Sequence, residues 1–494
     1  MEKFRLKIRA GETFLYRKNG TESQVFELRL NHNISSYYMV KAAKLTYKRY
    51  PYFKSRFKLK DGNVYLCENV VSPPPQRLKK LRPLGSLSTS NNLLDITFHK
   101  RRLFISFHHA MCDGRGIMNF IKTLLYYYLN FKFPHNNIRI PDVRLRGENM
   151  LKDELADPVA DGNFEFDKSK VFQISRDAFA IPQVEEGLNA GEESFKCELI
   201  LENDEVVKVS KENNCTPVIL MCILMQKAVQ ELNLTNTEPV LCNMSCDWRE
   251  SIGLPNTFRN CVSSIYLPYG SEEQSMSMED LGKHFRNLVN RQKEQDSARC
   301  SASVMKYMSD MLDSLCEYEK KQTAVSGFTS KAINSFIASY TGRANLGDAE
   351  RYVEEIHVYS SGTKGINLQM MSVANNFTID FLQNFESSIY IEQFVKQAEK
   401  LGLKVRKSSI QKFRTPKDSI DSLLGNSSKT HLVINSDNEN VYLVSNLEHF
   451  GKLHRGIIRN LLFNKHASHF SAEIKLDFIF TDSENCTGNC ISCM

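Results

Sequence analysis

The feature that most constrains the fold is a unit in which an apolar hairpin, a short polar loop and an apolar helix follow one another. Residues 93–107, LLDITFHKRRLFISF, alternate apolar and polar side chains on both sides of a turn at Lys100 and Arg101, which predicts two paired strands. Residues 116–131, GIMNFIKTLLYYYLNF, carry a helical stripe of apolar side chains. Because both elements bury an apolar face, the loop between them is held on a rigid support.

This loop, within SFHHAMCDGRG, contains His108, His109, Asp113 and Gly114. A metal site is disfavoured because adjacent strand residues point to opposite faces, and the sequence has no HExxH or paired CxxC pattern. Core packing remains an alternative, since a core tolerates one satisfied histidine. A catalytic site explains more: one imidazole faces a cavity and acts as a base near neutral pH. Asp113 then fixes the loop by pairing with a cation, and Gly114 allows a tight reversal into the helix.

The rest of the chain predicts two domains of similar size. Near the N-terminus, helical spacing predicts a helix that starts at Ser35 or Ser36 and ends at Pro51, and Asp61-Gly62 predicts a hairpin turn. The second half repeats helix, strand and strand-turn-strand patterns without a second paired-histidine motif. The predicted division is an N-terminal subdomain over 1–150, a linker over 151–195, a second subdomain over 196–410 and an extension of unknown role over 411–494.

The composition predicts a soluble cytoplasmic protein without a membrane span. Of 494 residues, 41% are hydrophobic and 24% are charged, and no apolar run approaches the length of a membrane helix, about 20 residues. The N-terminus lacks the apolar core of a signal peptide. The net charge of +7 is a mild excess, and no long basic run with interleaved aromatic residues indicates nucleic-acid binding.

The thirteen cysteines are odd in number and scattered, which favours reduced thiols over a disulfide framework. Near the C-terminus, Cys486, Cys490 and Cys493 match the spacing of one type of iron–sulfur site, with plain reduced thiols as the alternative. The stretch around Ser419 weakly resembles a phosphopantetheine attachment site, and a helix cap is the alternative.

The sequence HHAMCDG fits the HHxxxDG signature of an acyltransferase superfamily. That superfamily includes chloramphenicol acetyltransferases, alcohol acetyltransferases, wax-ester synthases and the condensation domains of nonribosomal peptide synthetases. Two further stretches resemble it, YKRYPYFKSRF with the DGNVYL hairpin, and CNMSCDWRESIGLPNTFRNCVSSIYLPY. The similar stretches span residues 1 to 405, and the nearest likeness is to bacterial alcohol-acetyltransferase-like proteins. The resemblance implies an α/β fold with mixed sheets, in which two chloramphenicol-acetyltransferase-like subdomains form a V-shaped pseudo-dimer around a central channel.

The resemblance also implies roles for individual residues. His109 is the general base, which takes the proton of the acceptor as it attacks an acyl thioester, so that no covalent acyl-enzyme is needed. Asp113 is structural and pairs with an arginine, for which Arg249 is the candidate. His108 braces the loop, and Ser372 is a candidate donor to the oxyanion. No metal and no permanently bound cofactor is implied.

Three functions follow from the resemblance. The first is transfer of an acyl group, such as acetyl, from a coenzyme A (CoA) thioester to an alcohol or amine. The second is a condensation-type reaction on thioesters held by the pantetheine arm of a carrier protein. The third is a catalytically silent binding protein on the same fold. The expected partners are a small-molecule acceptor and an acyl thioester, with a carrier protein in the second case.

Overall fold

A computed structural model of the protein describes residues 4–9, 15–16, 23–188, 194–329, 334–360, 364–416, 431–435 and 440–444. The chain divides into two compact units, Met1–Ser427 and Ser428–Met494. In the second unit, the described residues form one antiparallel hairpin. Ser419 and the C-terminal cysteines of the sequence analysis lie outside the described residues.

The strands of the described residues are, in chain order, β1 (Arg5–Lys7), β2 (Ser23–Leu30), β3 (Ser55–Lys60), β4 (Asn63–Glu68), β5 (Gln76–Arg77), β6 (Leu94–His99), β7 (Arg102–His108), β8 (Ser194–Glu202), β9 (Cys242–Asp247), β10 (Val262–Leu267), β11 (Phe336–Arg343), β12 (Val353–Ser360), β13 (Ile366–Val373), β14 (Asn376–Gln383), β15 (Arg406–Lys407), β16 (Gln411–Phe413), β17 (His431–Asn435) and β18 (Asn440–Val444). The α-helices of the same residues are α1 (Ser36–Arg49), α2 (Gly114–Lys132), α3 (Pro182–Glu186), α4 (Asn203–Glu212), α5 (Pro217–Leu232), α6 (Ser271–Gln274), α7 (Met278–Lys293), α8 (Gln295–Asp313), α9 (Tyr318–Thr329) and α10 (Ile389–Lys400).

The two predicted N-terminal helices are confirmed, and local chemistry explains their ends. α2 starts at Gly114 because the Asp113 carboxylate accepts a hydrogen bond from the backbone N–H of Gly116 at 2.8 Å, which caps the helix. Its apolar stripe is buried, as the spacing predicts. α1 stops at Arg49, before the backbone restriction imposed by Pro51.

The predicted hairpin between β3 and β4 is also confirmed. Its two turn residues, Asp61 and Gly62, have φ angles of 50° and 70°. Two consecutive left-handed residues make the turn whose twist matches paired strands, and Asp-Gly is a favoured pair for it.

Two mixed sheets form the centre of the first unit. The first sheet has the order β12-β2-β7-β6-β5, and the second has the order β10-β9-β11-β13-β14-β8-β15, with β16 also pairing with β8. β12 comes from the second half of the sequence but pairs along its length with β2 of the first sheet. The two halves of the chain are therefore joined by a strand that crosses from one into the other.

Each sheet has its own apolar core. α1 and α2 pack against the first sheet, and α5, α7 and α10 pack against the second. The predicted fold class is confirmed, with mixed sheets and helices arranged in two halves. The exact subdomain boundaries and the channel between the halves stay predictions.

The start of the predicted linker is packed rather than loose. Arg49, the last residue of α1, donates two hydrogen bonds to the carboxylate of Glu154, at 2.6 and 3.1 Å, and both side chains are buried. Such a bidentate ion pair fixes the geometry of both side chains. The segment that connects the halves is thus anchored to the first of them.

In the described part of the chain, no single helix has the length and apolarity of a membrane span. The bent pair of α4 and α5 meets both criteria together, and most of α5 is buried in the core of the second sheet.

Candidate active site

The motif loop, residues 109–113, is held at both ends by buried elements. β7 ends at His108, which lies opposite Ser23 of β2, and α2 begins at Gly114. β7 is the middle strand of the first sheet. The loop therefore follows a strand that is paired on both sides and precedes a helix whose apolar side is buried.

His109 is the half-buried histidine of the pair, and one hydrogen bond assigns its proton. Its Nδ1 lies 3.1 Å from the backbone carbonyl oxygen of Cys112. A carbonyl oxygen only accepts, so Nδ1 carries the proton and donates it, which leaves the lone pair of the neutral ring on Nε2. The side-chain Nδ2 of Asn260 lies 3.3 Å from the same Nδ1, but both atoms are donors in this tautomer, so the Cys112 carbonyl alone assigns the proton. The ring is thus fixed in the tautomer in which Nε2 can accept a proton.

His108 has the opposite tautomer and a different environment. Its side chain is 0% exposed, and the backbone N–H of Ala110 donates to its Nδ1 at 3.1 Å. The ring of Phe57 meets it edge-on at 5.0 Å between centroids. Burial, with the nearby His109, lowers the pKa of His108 to about 3. His108 is therefore neutral at physiological pH and braces the loop as part of the core.

Asp113 is 1% exposed, and each carboxylate oxygen is hydrogen-bonded. Oδ1 accepts from Gly116 N and, at 2.9 Å, from Nη2 of Arg249. Oδ2 accepts from the backbone N–H of Cys261 at 2.9 Å. Burial acts to raise the pKa of this carboxyl, but Arg249 and the two backbone donors lower it below its ordinary value. Asp113 thus remains a buried anion that ties the motif loop to the second half.

Arg249 is 1% exposed and bonds to a ring of acceptors. Besides its bond to Asp113, Nη2 donates to the carbonyl of Arg259 at 2.7 Å. Nε donates to the carbonyl of Thr257 at 2.8 Å, and Nη1 donates to Asp247 Oδ1 at 2.8 Å. A buried guanidinium is stable only when its donors are matched in this way. The structure places Arg249 against Asp113, the partner that the sequence analysis expected.

Gly114 differs from the expectation for the loop, and Gly116 adds a constraint that was not expected. Gly114 does not have a left-handed backbone, so it is not required for a strained reversal. A Cβ on Gly114 would lie 3.2 Å from the side chain of Thr341 on β11. A Cβ on Gly116 would lie 2.1 Å from the carbonyl oxygen of Phe258, a distance no side chain can occupy. Close packing against the second half, rather than backbone freedom, therefore requires glycine at position 116.

Ser372 lies on β13, and its hydroxyl is 3.1 Å from that of Tyr340 on β11. Its neighbours Met371 and Val373 pack into the core of the first sheet, so the Ser372 side chain points to the other face. This contact gives Ser372 a partner within the second half. Its role at an oxyanion stays a prediction.

The sequence analysis missed Asn260, which contacts His109 across 151 positions of sequence. Asn260 Oδ1 accepts from the backbone N–H of Val262 at 3.0 Å, which turns Nδ2 toward the histidine. The only signal was its place after Arg259, in a pair that leads into a strand. No spacing rule connects that pair to the motif loop, because only the fold brings β10 beside it.

The assembled residues can carry out proton transfer. The imidazole of His109 has an assigned acceptor nitrogen. The neutral His108 beside it and the buried ion pair of Asp113 and Arg249 hold the loop that carries it in a fixed position. Within the described residues, no group of three histidine, cysteine, aspartate or glutamate side chains converges in a metal-binding arrangement.

No protein-family model matches the sequence, and no curated protein matches it either. Solved structures do match. TRI101 of F. graminearum, in a complex with coenzyme A and T-2 mycotoxin, is 12% identical with a TM-score of 0.51, over 81% of this chain and 99% of that one. TRI3 trichothecene 15-O-acetyltransferase from Fusarium sporotrichioides is 12% identical with a TM-score of 0.50, over 80% of this chain and 95% of that one.

The condensation domain of the monacolin K polyketide synthase MokA is also similar. It is 8% identical with a TM-score of 0.50, over 80% of this chain and 97% of that one. Identities this low establish architecture and leave chemistry open. The chain thus has the fold that is shared by these acetyltransferase and condensation-domain structures.

Proposed function

We propose that this chain transfers an acyl group from a coenzyme A thioester to an alcohol or amine, with His109 as the general base. The observation that carries the proposal is the bond from His109 Nδ1 to the Cys112 carbonyl, which reserves Nε2 for the proton of the acceptor. The fold likeness to an acetyltransferase and to a structure that holds coenzyme A supports a CoA thioester as the donor.

The reaction needs one proton shuttle. The acceptor oxygen or nitrogen attacks the thioester carbonyl while its proton passes to His109 Nε2, and a tetrahedral intermediate forms. The intermediate collapses, the carbon–sulfur bond breaks, and the thiolate takes the proton from Nε2. The products are an ester or amide and free thiol, and His109 returns to its starting state. In the imidazolium state, the Cys112 carbonyl still accepts from Nδ1 and stabilises the charge.

The surrounding residues act through His109. His108 is neutral, so it adds no second positive charge when His109 is protonated. Asp113 and Arg249 position the loop through their buried ion pair.

Release of free CoA from acetyl-CoA, with a panel of alcohols and amines, tests the proposal. We expect His109→Ala to lower the rate by about 100-fold or more, the usual contribution of a general base. The exposed His135 offers a matched control, and His135→Ala should leave the rate unchanged. Release by His109→Ala at the wild-type rate would remove His109 from its role.

The second candidate is a condensation-type enzyme, favoured by the likeness to the MokA domain, whose TM-score equals that of the acetyltransferase TRI3. An acetylated carrier protein, supplied in place of acetyl-CoA, separates the two. Turnover with the carrier alone supports condensation. No turnover with either donor supports a silent binding protein.

A further inference from the structure

One face of the second sheet reaches the motif region of the first half at three points. Asn260 precedes β10 and contacts His109 at 3.3 Å. Asp247, the last residue of β9, forms an ion pair with Arg115 of α2. Thr341 of β11 packs against Gly114. The same face therefore continues outward from the proposed base along three neighbouring strands.

Polar, uncharged side chains occupy the next positions on that face. Ser245 precedes Asp247 by two residues, Ser339 precedes Thr341 by two, and Ser264 lies opposite Ser245 in the strand register. Because side chains alternate along a strand, Ser245 shares a face with Asp247, and Ser264 lies beside Ser245 on that face. The pairing of β11 with β13 is irregular between Tyr340 and Arg343, so the face of Ser339 is fixed by its strand neighbours instead.

The strand register makes the serines part of one row. Ala338 lies beside Met244, so Ser339 and Ser245 follow as neighbours, and Ser339 lies beside Gln369 of β13. Met244 and Ala338, which directly precede Ser245 and Ser339, point into the core of the second sheet. The serines therefore lie on the opposite face of that sheet. We call Ser264, Ser245, Ser339 and Gln369 the hydroxyl row.

The row has unused hydrogen-bonding capacity. Within the part of the chain that the structure describes, the hydroxyls of the three serines have no hydrogen-bond partner. Gln369 is 6% exposed and donates from Nε2 to Asn367 Oδ1 at 3.1 Å, while its Oε1 has no partner among the described residues. This oxygen keeps some solvent exposure, so a water or a ligand can donate a hydrogen bond to it.

The row is reachable from solvent. A cleft of about 330 Å³ has Ser264, Arg115 and Asp247 in its lining, which places the outer end of the row beside the start of α2. Neighbouring strands are about 4.8 Å apart, so the row offers hydrogen-bonding groups at that spacing. None of its four members carries a charge.

We propose that the hydroxyl row binds an uncharged, polyhydroxylated acceptor, such as a sugar or polyol, and directs one of its hydroxyls to His109. An apolar acceptor would strip water from these groups without replacing its hydrogen bonds. This inference rests on the proposed acyl transfer and names the acceptor class of that reaction.

Two acceptors that share a six-membered ring test it, with acetyl-CoA as the donor: methyl glucoside and cyclohexanol. We expect wild type to favour methyl glucoside in kcat/KM by about ten-fold or more, from several hydrogen bonds. Ser245→Ala and Ser339→Ala should each raise its KM by about five-fold. The KM for acetyl-CoA should not change, and Ser271→Ala, at an exposed serine, is the matched control.

Three results would overturn the inference. Wild type could favour cyclohexanol, or it could accept neither compound while other alcohols are acylated. The serine variants could instead raise the KM for acetyl-CoA, which would assign the row to the donor arm. If no release of CoA depends on His109, the result is of a different kind, because it contradicts the proposed function itself.

Discussion

His108 and His357 are both 0% exposed, yet the structure gives them opposite charge states. Burial and the neighbouring His109 lower the pKa of His108 to about 3. Burial also acts to lower the pKa of His357, but Asp380 and Glu355 outweigh it and raise that pKa to about 9. The difference shows that partners, rather than depth, decide whether a buried imidazole is charged.

The surroundings of His357 join the two sheets. Its Nδ1 donates to Asp380 Oδ1 on β14 at 2.7 Å, and its Nε2 lies 3.3 Å from Glu355 on its own strand, β12. Asp380 Oδ2 also accepts from the backbone N–H of Val358 at 2.8 Å. The other ionisable groups around His357 come from β2, β8 and β12: Arg29, Glu198 and Tyr359. His357 thus acts as a charged link between the halves, whereas His108 is a neutral brace.

The largest expected effect concerns the acid side of the stability curve. The pKa of His108 in the folded protein, about 3, lies below the ordinary value of 6.5. Its contribution to the free energy of unfolding is therefore complete above pH 6.5 and is lost as pH falls through 3. The loss amounts to about 5 kcal/mol in the free energy of unfolding. His108→Asn should flatten the urea-unfolding stability between pH 6 and 3 relative to wild type. Equal slopes in both proteins would contradict the assigned pKa.

The second effect lies on the alkaline side and has the opposite sign. The folded pKa of His357, about 9, exceeds 6.5, so its contribution is complete below pH 6.5 and is lost as pH rises through 9. Wild type should lose about 3 kcal/mol over that range, and His357→Gln should start lower and lack this loss. His135→Gln, at an exposed histidine, is the matched control. A His357→Gln curve parallel to wild type would show that the imidazole is neutral.

A smaller effect tests the ion pair behind the motif loop. Arg249→Lys keeps the charge near Asp113 but cannot reach the carbonyls of Thr257 and Arg259 together. We expect a loss of about 2 kcal/mol in stability, with a lower kcat and little change in the KM for acetyl-CoA. A variant as stable and as active as wild type would show that the loop is positioned without Arg249.

The sequence predicts the features that depend on local pattern. The helix after the motif follows from its apolar stripe and the Asp113 cap, and the β3–β4 turn follows from Asp61-Gly62. The pairing of Asp113 with Arg249 came from the family resemblance alone, because 136 residues separate them. Local spacing says nothing about such distant contacts.

Other features depend on tertiary packing and leave no local trace. β12 reads as an ordinary strand, and nothing in it indicates that it joins the first sheet. His357 meets Asp380 only because their strands lie in sheets that face each other. Gly116 looks like any glycine at a helix start, although the carbonyl of Phe258 excludes every side chain there.

The central claim is that the proton of the neutral His109 ring lies on Nδ1, so that Nε2 is the atom that takes the proton of the acceptor. Nitrogen-15 NMR of histidine-labelled protein at neutral pH, with His109→Gln and His108→Asn for assignment, reads this directly. We predict a proton on Nδ1 of His109 and on Nε2 of His108, two adjacent rings in opposite tautomers. A His109 signal with the proton on Nε2 would contradict the account.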